Sequence, residues 1–392
     1  MSQRPTVKRD FSFGNPAVRA WLYQFVAIIA VVAVVGYLIH NTIINLANRG
    51  ITSGFGFLER SAGFGIVQHL IDYTEGDTYA RVFMVGLTNT LLVSALCIVF
   101  ASLLGFAVGL ARLSDNWLLR KLSAIYIETF RNIPPLLQIF FWYFAVLRNL
   151  PGPRQALNAF DLAFVSNRGL YIPWPQYAPG TLPFLVALAS GIIASLALFR
   201  FNRKHQLKIG QLRRTWPAAA GLIVLLPLIA HSLFGAGVHW DVPELRGFNF
   251  RGGFAMIPEL AALTLALSIY TSSFIAEVIR AGIQSVPHGQ SEAARSLGLP
   301  NPVTLRQVII PQAMRVIIPP LTSQYLNVVK NSSLAAAIGY PDMVSLFAGT
   351  VLNQTGQAIE TIAITMAVYL IISLTISLLM NLYNRKIALV ER

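Results

Sequence analysis

Charge is what this chain has least of. Only 12% of its 392 residues are Asp, Glu, Lys or Arg, while 55% are hydrophobic. A soluble globular domain carries about 25% charged residues. Over this length the deficit leaves too little polar surface to face water, which excludes an ordinary soluble enzyme. Acid is scarcer than base, with 16 Asp and Glu against 30 Lys and Arg, a formal net charge of +14. The single cysteine, Cys97, excludes an intrachain disulfide framework and a cysteine-based metal cluster. No GxxxxGK[ST], HExxH or GxSxG run occurs, so the chain offers no nucleotide cradle, zinc-protease pair or hydrolase elbow. His40, His69, His205, His231, His239 and His288 are scattered without ligand spacing, and no metal is expected. Sustained period-two alternation is also missing, which argues against a membrane barrel.

What is present is a series of apolar runs. A helix crossing a hydrocarbon core of ~30 Å needs about 20 mostly apolar residues. Eight segments meet or approach that length: Leu22–Ile39, Phe83–Ala111, Ile125–Leu147, Thr181–Leu198, Trp216–Phe234, Ile257–Ile279, Ile318–Tyr340 and Ala358–Leu382. The fold class expected is therefore an all-α polytopic membrane protein with about eight transmembrane helices. The first run is longer than a signal-peptide core, with Trp21 and Tyr37 at its ends, and reads as a retained span. Gly105 and Gly109 form a GxxxG in the second run, a weak sign of close helix packing.

Eight crossings put both termini on one side. That side, comprising the N-terminus, the connections 112–124, 199–215 and 280–317, and the C-terminus, holds 20 of the 30 basic residues against 8 opposite. The asymmetry predicts cytoplasmic termini. The densest cluster is Arg200, Arg203, Lys204, Lys208, Arg213 and Arg214. Basic residues come as short clusters between apolar runs, with no basic–aromatic platform, so no nucleic-acid partner is expected. The outside connections 40–82, 148–180 and 235–256 carry the breakers, among them Pro151, Pro153, Pro173, Pro175 and Pro179.

The long connection between the sixth and seventh spans has a distinct pattern. Ser291 can cap a short helix that Gly298 ends in a left-handed conformation, and Asn301 can cap a second helix with Pro302 in its first turn. Two short helices with a sharp elbow follow. Ala293, Ala294 and Leu297 fall on one face, a small ridge suited to a partner's groove; an ordinary interfacial loop helix is the alternative.

Glu292-Ala293-Ala294, three residues, Gly298, nine residues and Val308-Ile309-Ile310-Pro311 together resemble the EAA loop of binding-protein-dependent ABC importer permeases. That loop usually ends I-x-L-P, from which Val308 and Ile310 depart conservatively. Ala276-Glu277, Arg280, Pro287 and Gly289-Gln290 before it, and Lys330-Asn331-Ser332-Ser333-Leu334 after it, resemble the polar amino-acid branch. So does Arg131-Asn132-Ile133-Pro134-Pro135-Leu136-Leu137-Gln138, where the branch more often has Gly-Thr-Pro after the arginine. The resemblance covers 83–147 and 257–382, and the layout is similar to the larger permeases of general L-amino-acid importers.

The resemblance implies a type I importer permease core with added spans in the cell inner membrane. Its division would be 1–82 as cytoplasmic N-terminus, first span and periplasmic connection, then 83–384 as the transmembrane domain. Within the latter, 83–147 and 257–382 would be the core and 148–256 an insertion with two extra spans. Glu292, Ala293, Ala294, Gly298 and Pro311 would couple to the ATPase. Partners would be a second permease subunit, two copies of an ATPase subunit and a periplasmic amino-acid-binding protein. The chain itself would hold no cofactor, ATP being bound by the partner, and would not be an enzyme.

Polar residues in apolar spans are costly and usually face other helices or water. Tyr270, Thr271, Ser273 and Glu277 on one span and Lys330, Asn331, Ser332 and Ser333 on another are the candidate substrate pathway, with Glu277 and Lys330 near a zwitterion's two ends. Glu277 pairing structurally with Arg280 or Lys330 is an equal alternative. The alternative function is an ion-coupled secondary amino-acid carrier, which typically shows inverted repeats.

Overall fold

The computed structural model describes residues 16–48, 50, 53–176, 181–209, 215–234 and 239–387. Among these, six helices are long and apolar enough to cross a membrane: Val18–Asn45, Tyr79–Arg112, Thr181–Asn202, Trp216–Leu233, Pro258–Gln284 and Ala358–Arg385. They correspond to six of the eight expected runs. The other two runs are interrupted helices, the third at Pro134 and the seventh at Ser332, past its two internal prolines. The side chains from Arg203 to Arg214, most of the densest basic cluster, lie outside the described residues.

Helix α1 (Pro16–Asn48) stands exposed, and α2 (Tyr79–Arg112) carries the GxxxG. The third run starts earlier than expected, because Asn116 accepts the amide protons of Leu118 (2.9 Å) and Leu119 (3.3 Å) and opens α3 (Trp117–Asn132). Much of the expected 112–124 connection is thus helical. The chain then breaks, with Ile133 and Pro134 extended, before α4 (Pro135–Phe140). A residue preceding proline is disfavoured in the helical region. Pro134 also cannot donate to the Phe130 carbonyl. Buried Gln138 replaces that donor, its Nε2 reaching the carbonyls of Phe130 and Ile133 at 3.0 Å each.

Eight short strands were not expected. β1 (Leu157–Ala159), β2 (Ala163–Ser166), β3 (Gly169–Ile172) and β4 (Trp174–Gln176) precede helices α5 (Thr181–Ile209) and α6 (Trp216–Phe234). β5 (His239–Asp241), β6 (Glu244–Arg246), β7 (Asn249–Arg251) and β8 (Phe254–Met256) follow them. One antiparallel sheet has the order β1-β2-β3-β8, and β4 pairs with β5 and β6 with β7. Runs of three or four residues are too short to display alternation, which is why the sequence shows only their turn residues. The pairings Leu170↔Met256 and Trp174↔Asp241 bring together the two flanks of the α5–α6 hairpin.

Helix α7 (Pro258–Gln284) forms the centre of the bundle, buried on most of its circumference against α2, α3 and α4. Close approach to α2 depends on the two glycines. A Cβ on Gly105 would lie 2.7 Å from the Ile275 side chain and 2.9 Å from the Ser272 carbonyl, and one on Gly109 would lie 2.9 Å from the Ala276 carbonyl. Val93, Cys97, Ile139, Leu260, Leu263, Leu267, Val328 and Tyr340 fill the adjoining core.

Past α7 come the short helices α8 (His288–Ser296) and α9 (Asn301–Thr304), then α10 (Ile310–Asn331), which also packs on α7. The seventh expected run began at Ile318, but the helix begins eight residues sooner and tolerates Pro319 and Pro320 inside it. It gives way at Ser332 to tight turns ending at Gly339, φ 78°. A widened helical turn over Val344–Val351, the short α11 (Leu352–Thr355) and α12 (Ala358–Ile387) complete the chain.

Candidate functional site

The elbow between α8 and α10 is built by proline and glycine at set places. Pro287 and Pro300, not Ser291 and Asn301, occupy the positions before α8 and α9. Each proline's ring fixes φ, and each takes an extended ψ (136° and 150°) from which the helix starts. Ser291 lies inside α8, and Asn301 and Pro302 are the first two residues of α9.

The expected end of α8 is present. Gly298 has φ +72°, its N–H reaches the Arg295 carbonyl at 2.9 Å, and the Leu299 N–H reaches the Ala294 carbonyl at 3.1 Å. This paired pattern is a Schellman motif, which occupies carbonyls the helix end leaves free. A Cβ on Gly298 would meet nothing within 4 Å, so its constraint is the backbone angle alone.

Ala293, Ala294 and Leu297 do not share one exposed ridge. Ala294 is 3% exposed and anchors α8 to the chain, while Leu297 is 79% exposed and Ala293 also faces outward. Successive turns of so short a helix divide between anchoring and display. Glu292 is exposed too, with one carboxylate oxygen 3.1 Å from His288 Nδ1. Gln312 Nε2 donates to Gln290 Oε1 at 3.3 Å, tying α8 to the first turn of α10, where Pro311 stands.

The intramembrane candidates separate into two sets. Thr271, Ser273 and Ser332 are buried within the bundle. Ser273 Oγ donates to the Tyr270 carbonyl (2.6 Å) and Ser332 Oγ to the Val329 carbonyl (2.7 Å), local bonds that satisfy the hydroxyls without a ligand. Tyr270, Glu277, Asn331 and Ser333 are partly exposed and Lys330 is exposed. Ser333 Oγ also turns back, to the Lys330 carbonyl at 2.6 Å.

Glu277 pairs with Arg280, which grips both carboxylate oxygens: Nε lies 2.9 Å from Oε2, and Nη2 bonds Oε1. Among the described residues Lys330 makes no ion pair with it. Glu277 instead lines a cavity of about 280 Å³ with Arg131, Phe274, Val316, Pro320 and Gln324. Lys330 lies six residues past Gln324, or ~9 Å further along α10 at a rise of about 1.5 Å per residue. Of the alternatives the sequence left open for Glu277, the pairing with Arg280 is the one the structure shows, and Arg131 shares the cavity lining with Glu277.

Asp342 was missed. It is fully buried, accepts the Ser345 N–H on Oδ1 (2.8 Å) and the Tyr369 hydroxyl on Oδ2 (3.0 Å), and so fastens the turn after α10 to α12. A lone acid in an apolar stretch was the available signal.

Residues 99–388 match the model of the family described as binding-protein-dependent transport system inner membrane component. This chain belongs to that family. YhdX of Escherichia coli (strain K12), named as an amino-acid ABC transporter permease, is 79% identical over all of this chain and 99% of its own length. The general L-amino acid transport system permease AapQ of Rhizobium johnstonii is 50% identical over 96% of this chain and 94% of its own. The glutamate/glutamine/aspartate/asparagine transport system permease BztB of Rhodobacter capsulatus is 40% identical over 95% of each. Family membership accords with the all-α polytopic fold read from the sequence, a permease core with added spans.

Proposed function

We propose that the chain is a permease subunit of an ATP-driven importer that carries L-amino acids across the inner membrane, both termini being cytoplasmic. The observation that carries the reading is the elbow: two short helices joined by a Schellman turn lie between α7 and α10, in the segment whose sequence resembles the family's coupling loop. The amino-acid relatives, similar over their whole length, supply the substrate class. Nothing favours the ion-coupled carrier. Partners in this reading are a second permease subunit, two ATPase subunits that bind the ATP, and a periplasmic amino-acid-binding protein. Segments 83–147 and 257–382 act as the transporting core, and 148–256 is an addition to it.

Mechanically, α7 runs into α8 through only Ser285, Val286 and Pro287, and α9 leads into α10. Closure of the ATPases on the exposed face around Glu292, Ala293 and Leu297 displaces α8. Ala294 and the Gln290–Gln312 bond pass that displacement to the bundle. The spans then rock between outward- and inward-open arrangements.

Gly298→Asp tests the coupling role. A non-glycine residue at this φ costs about 1–2 kcal/mol of backbone strain, and the added charge sits where the ATPase docks. The expected result is an inserted chain that no longer co-purifies with the ATPase. Normal ATPase co-purification and normal import by this variant would overturn the reading.

A further inference from the structure

Another face of α10 borders a groove with α2 and α7 whose lining includes no charged side chain. Leu103 and Phe106 of α2, Ile275 and Ile279 of α7, and Ile317 and Leu321 of α10 line its length. Its two hydroxyls use each other: Ser102 Oγ donates to the Ile98 carbonyl at 2.6 Å and lies 2.9 Å from the Tyr325 hydroxyl. A zwitterion would find no partner here, so the groove is suited to hydrocarbon and not to the substrate. Left empty, its lining would lose van der Waals contacts on one side. Size decides what fills it. From Ile310 to Tyr325 the groove follows α10 for ~22 Å at a rise of about 1.5 Å per residue. Its volume of about 400 Å³, spread over that length, leaves a cross-section of about 18 Å², far less than a helix of about 10–12 Å diameter needs. A single hydrocarbon chain fits, and the length exceeds the ~15 Å depth of one leaflet, half of a core about 30 Å thick.

A charge marks one end. Arg306 stands one turn before Ile310, is exposed, and makes no ion pair among the described residues. That is the end at which α9 leads into α10. In the inner-membrane reading it meets the cytoplasmic leaflet, whose anionic lipids attract basic groups. We propose that the groove binds an anionic phospholipid of that leaflet, with one acyl chain between α2 and α10 and the phosphate on Arg306. The guanidinium fork matches phosphate oxygens two at a time, whereas a headgroup with its own ammonium partly cancels the attraction. The acyl chain touches α2, α7 and α10, and the headgroup sits beside the elbow. The bound lipid therefore braces the helices on either side of the α8–α9 segment. The site rests on the orientation given by the import reading and adds to it a ligand that is not transported.

Photo-crosslinking reads the site directly. The complete importer is placed in nanodiscs with phosphatidylglycerol carrying a diazirine on its acyl chain, irradiated and digested, and the adducts are mapped by mass spectrometry. Adducts are expected on the stretches 102–106 and 314–321, which contribute to the lining. Unlabelled phosphatidylglycerol should compete with them, and phosphatidylcholine should not. Arg306→Gln removes a charged hydrogen-bond donor and is expected to weaken groove labelling about tenfold. Adducts on exposed α1 should stay unchanged, and Arg306→Lys should restore part of the groove signal. Met314→Trp fills the groove from its own lining and should abolish labelling with Arg306 intact. Equal competition by both lipids, or labelling indifferent to both Arg306→Gln and Met314→Trp, would refute the site. So would adducts on α1 and α12 with none in the groove, the pattern expected if a partner subunit covers it. Amino-acid uptake by the same importer in proteoliposomes separates the two levels: uptake without groove adducts refutes the lipid site alone, and absent uptake refutes the transport reading itself.

Discussion

The α2–α7 pair and the α5–α6 pair solve the same packing problem and end in different places. Both bring two apolar helices into backbone contact at glycine. Gly105 and Gly109 admit α7 to α2, and a Cβ on Gly191 of α5 would lie 2.8 Å from the Leu222 carbonyl of α6. Beyond that contact they diverge. The apolar stretch of α7 is 67% buried, those of α5 and α6 only 11% and 17%. Helix α7 is surrounded by α2, α3, α4 and α10 and leads directly into the α8–α9 elbow, whereas α5 and α6 pack chiefly on each other. Identical local chemistry thus makes an enclosed axis in one pair and a peripheral hairpin in the other. What differs is how many neighbours enclose it.

The largest effect that separates the two pairs comes from filling their glycine contacts. Gly105→Leu would drive a side chain into Ile275 and the Ser272 carbonyl. Overpacking a filled core costs typically 1–3 kcal/mol and sometimes more. Since three neighbouring helices restrain α7, the helices cannot simply part. The expected outcome is loss of folded permease from detergent extracts, read by size-exclusion yield. Gly191→Leu makes a comparable clash, yet α5 and α6 can separate without moving the core. That variant is expected to extract normally and to import amino acids; equal collapse of both variants would erase the distinction.

Within the core, Asp342 gives an intermediate effect. Removing its carboxylate leaves the Ser345 N–H and the Tyr369 hydroxyl without their partner, and a buried unpaired donor costs about 1–3 kcal/mol. Asp342→Ala is expected to lower the thermal unfolding midpoint of the importer complex. Asp342→Asn should recover most of the loss, because its amide oxygen can still accept from Ser345. No difference between Ala and Asn would mean that the cap contributes nothing.

The two pairs also differ in how plainly they stood in the sequence. Six spans, the Gly105/Gly109 contact and the left-handed Gly298 were legible, because hydropathy and glycine spacing are local signals. Ser291 and Asn301 seemed suitable caps by residue type, but Pro287 and Pro300 already imposed the extended backbone at which each helix starts. The third span read as continuous because hydropathy does not register that Phe130 loses its donor at Pro134, or that Gln138 restores one. Lys330 standing away from Glu277 follows from the level at which α10 packs on α7, where Val316, Pro320 and Gln324 share its cavity, a tertiary quantity. The strands escaped notice since pairing between β3 and β8 spans some eighty residues of intervening chain.

That pairing supplies the smallest expected effect and the sharpest test of the hairpin's independence. β4 and β5 pair antiparallel, with Gln176 opposite His239. The two positions that bracket the α5–α6 excursion are therefore already neighbours. Replacing everything between them with a two-residue Asn-Gly turn should close an ordinary hairpin, because such a turn matches the twist of paired strands. The sheet β1-β2-β3-β8 would keep its register, and α7 would still start at Pro258 beneath it. Neither the elbow nor the Arg131–Glu277 cavity draws a residue from the excised segment. The shortened chain is expected to assemble with its ATPase and to import amino acids within a few-fold of the full protein. Loss of assembly would show that α5 and α6 hold a partner subunit in place, and the contrast between an enclosed axis and a peripheral pair would then apply to this subunit alone and not to the importer.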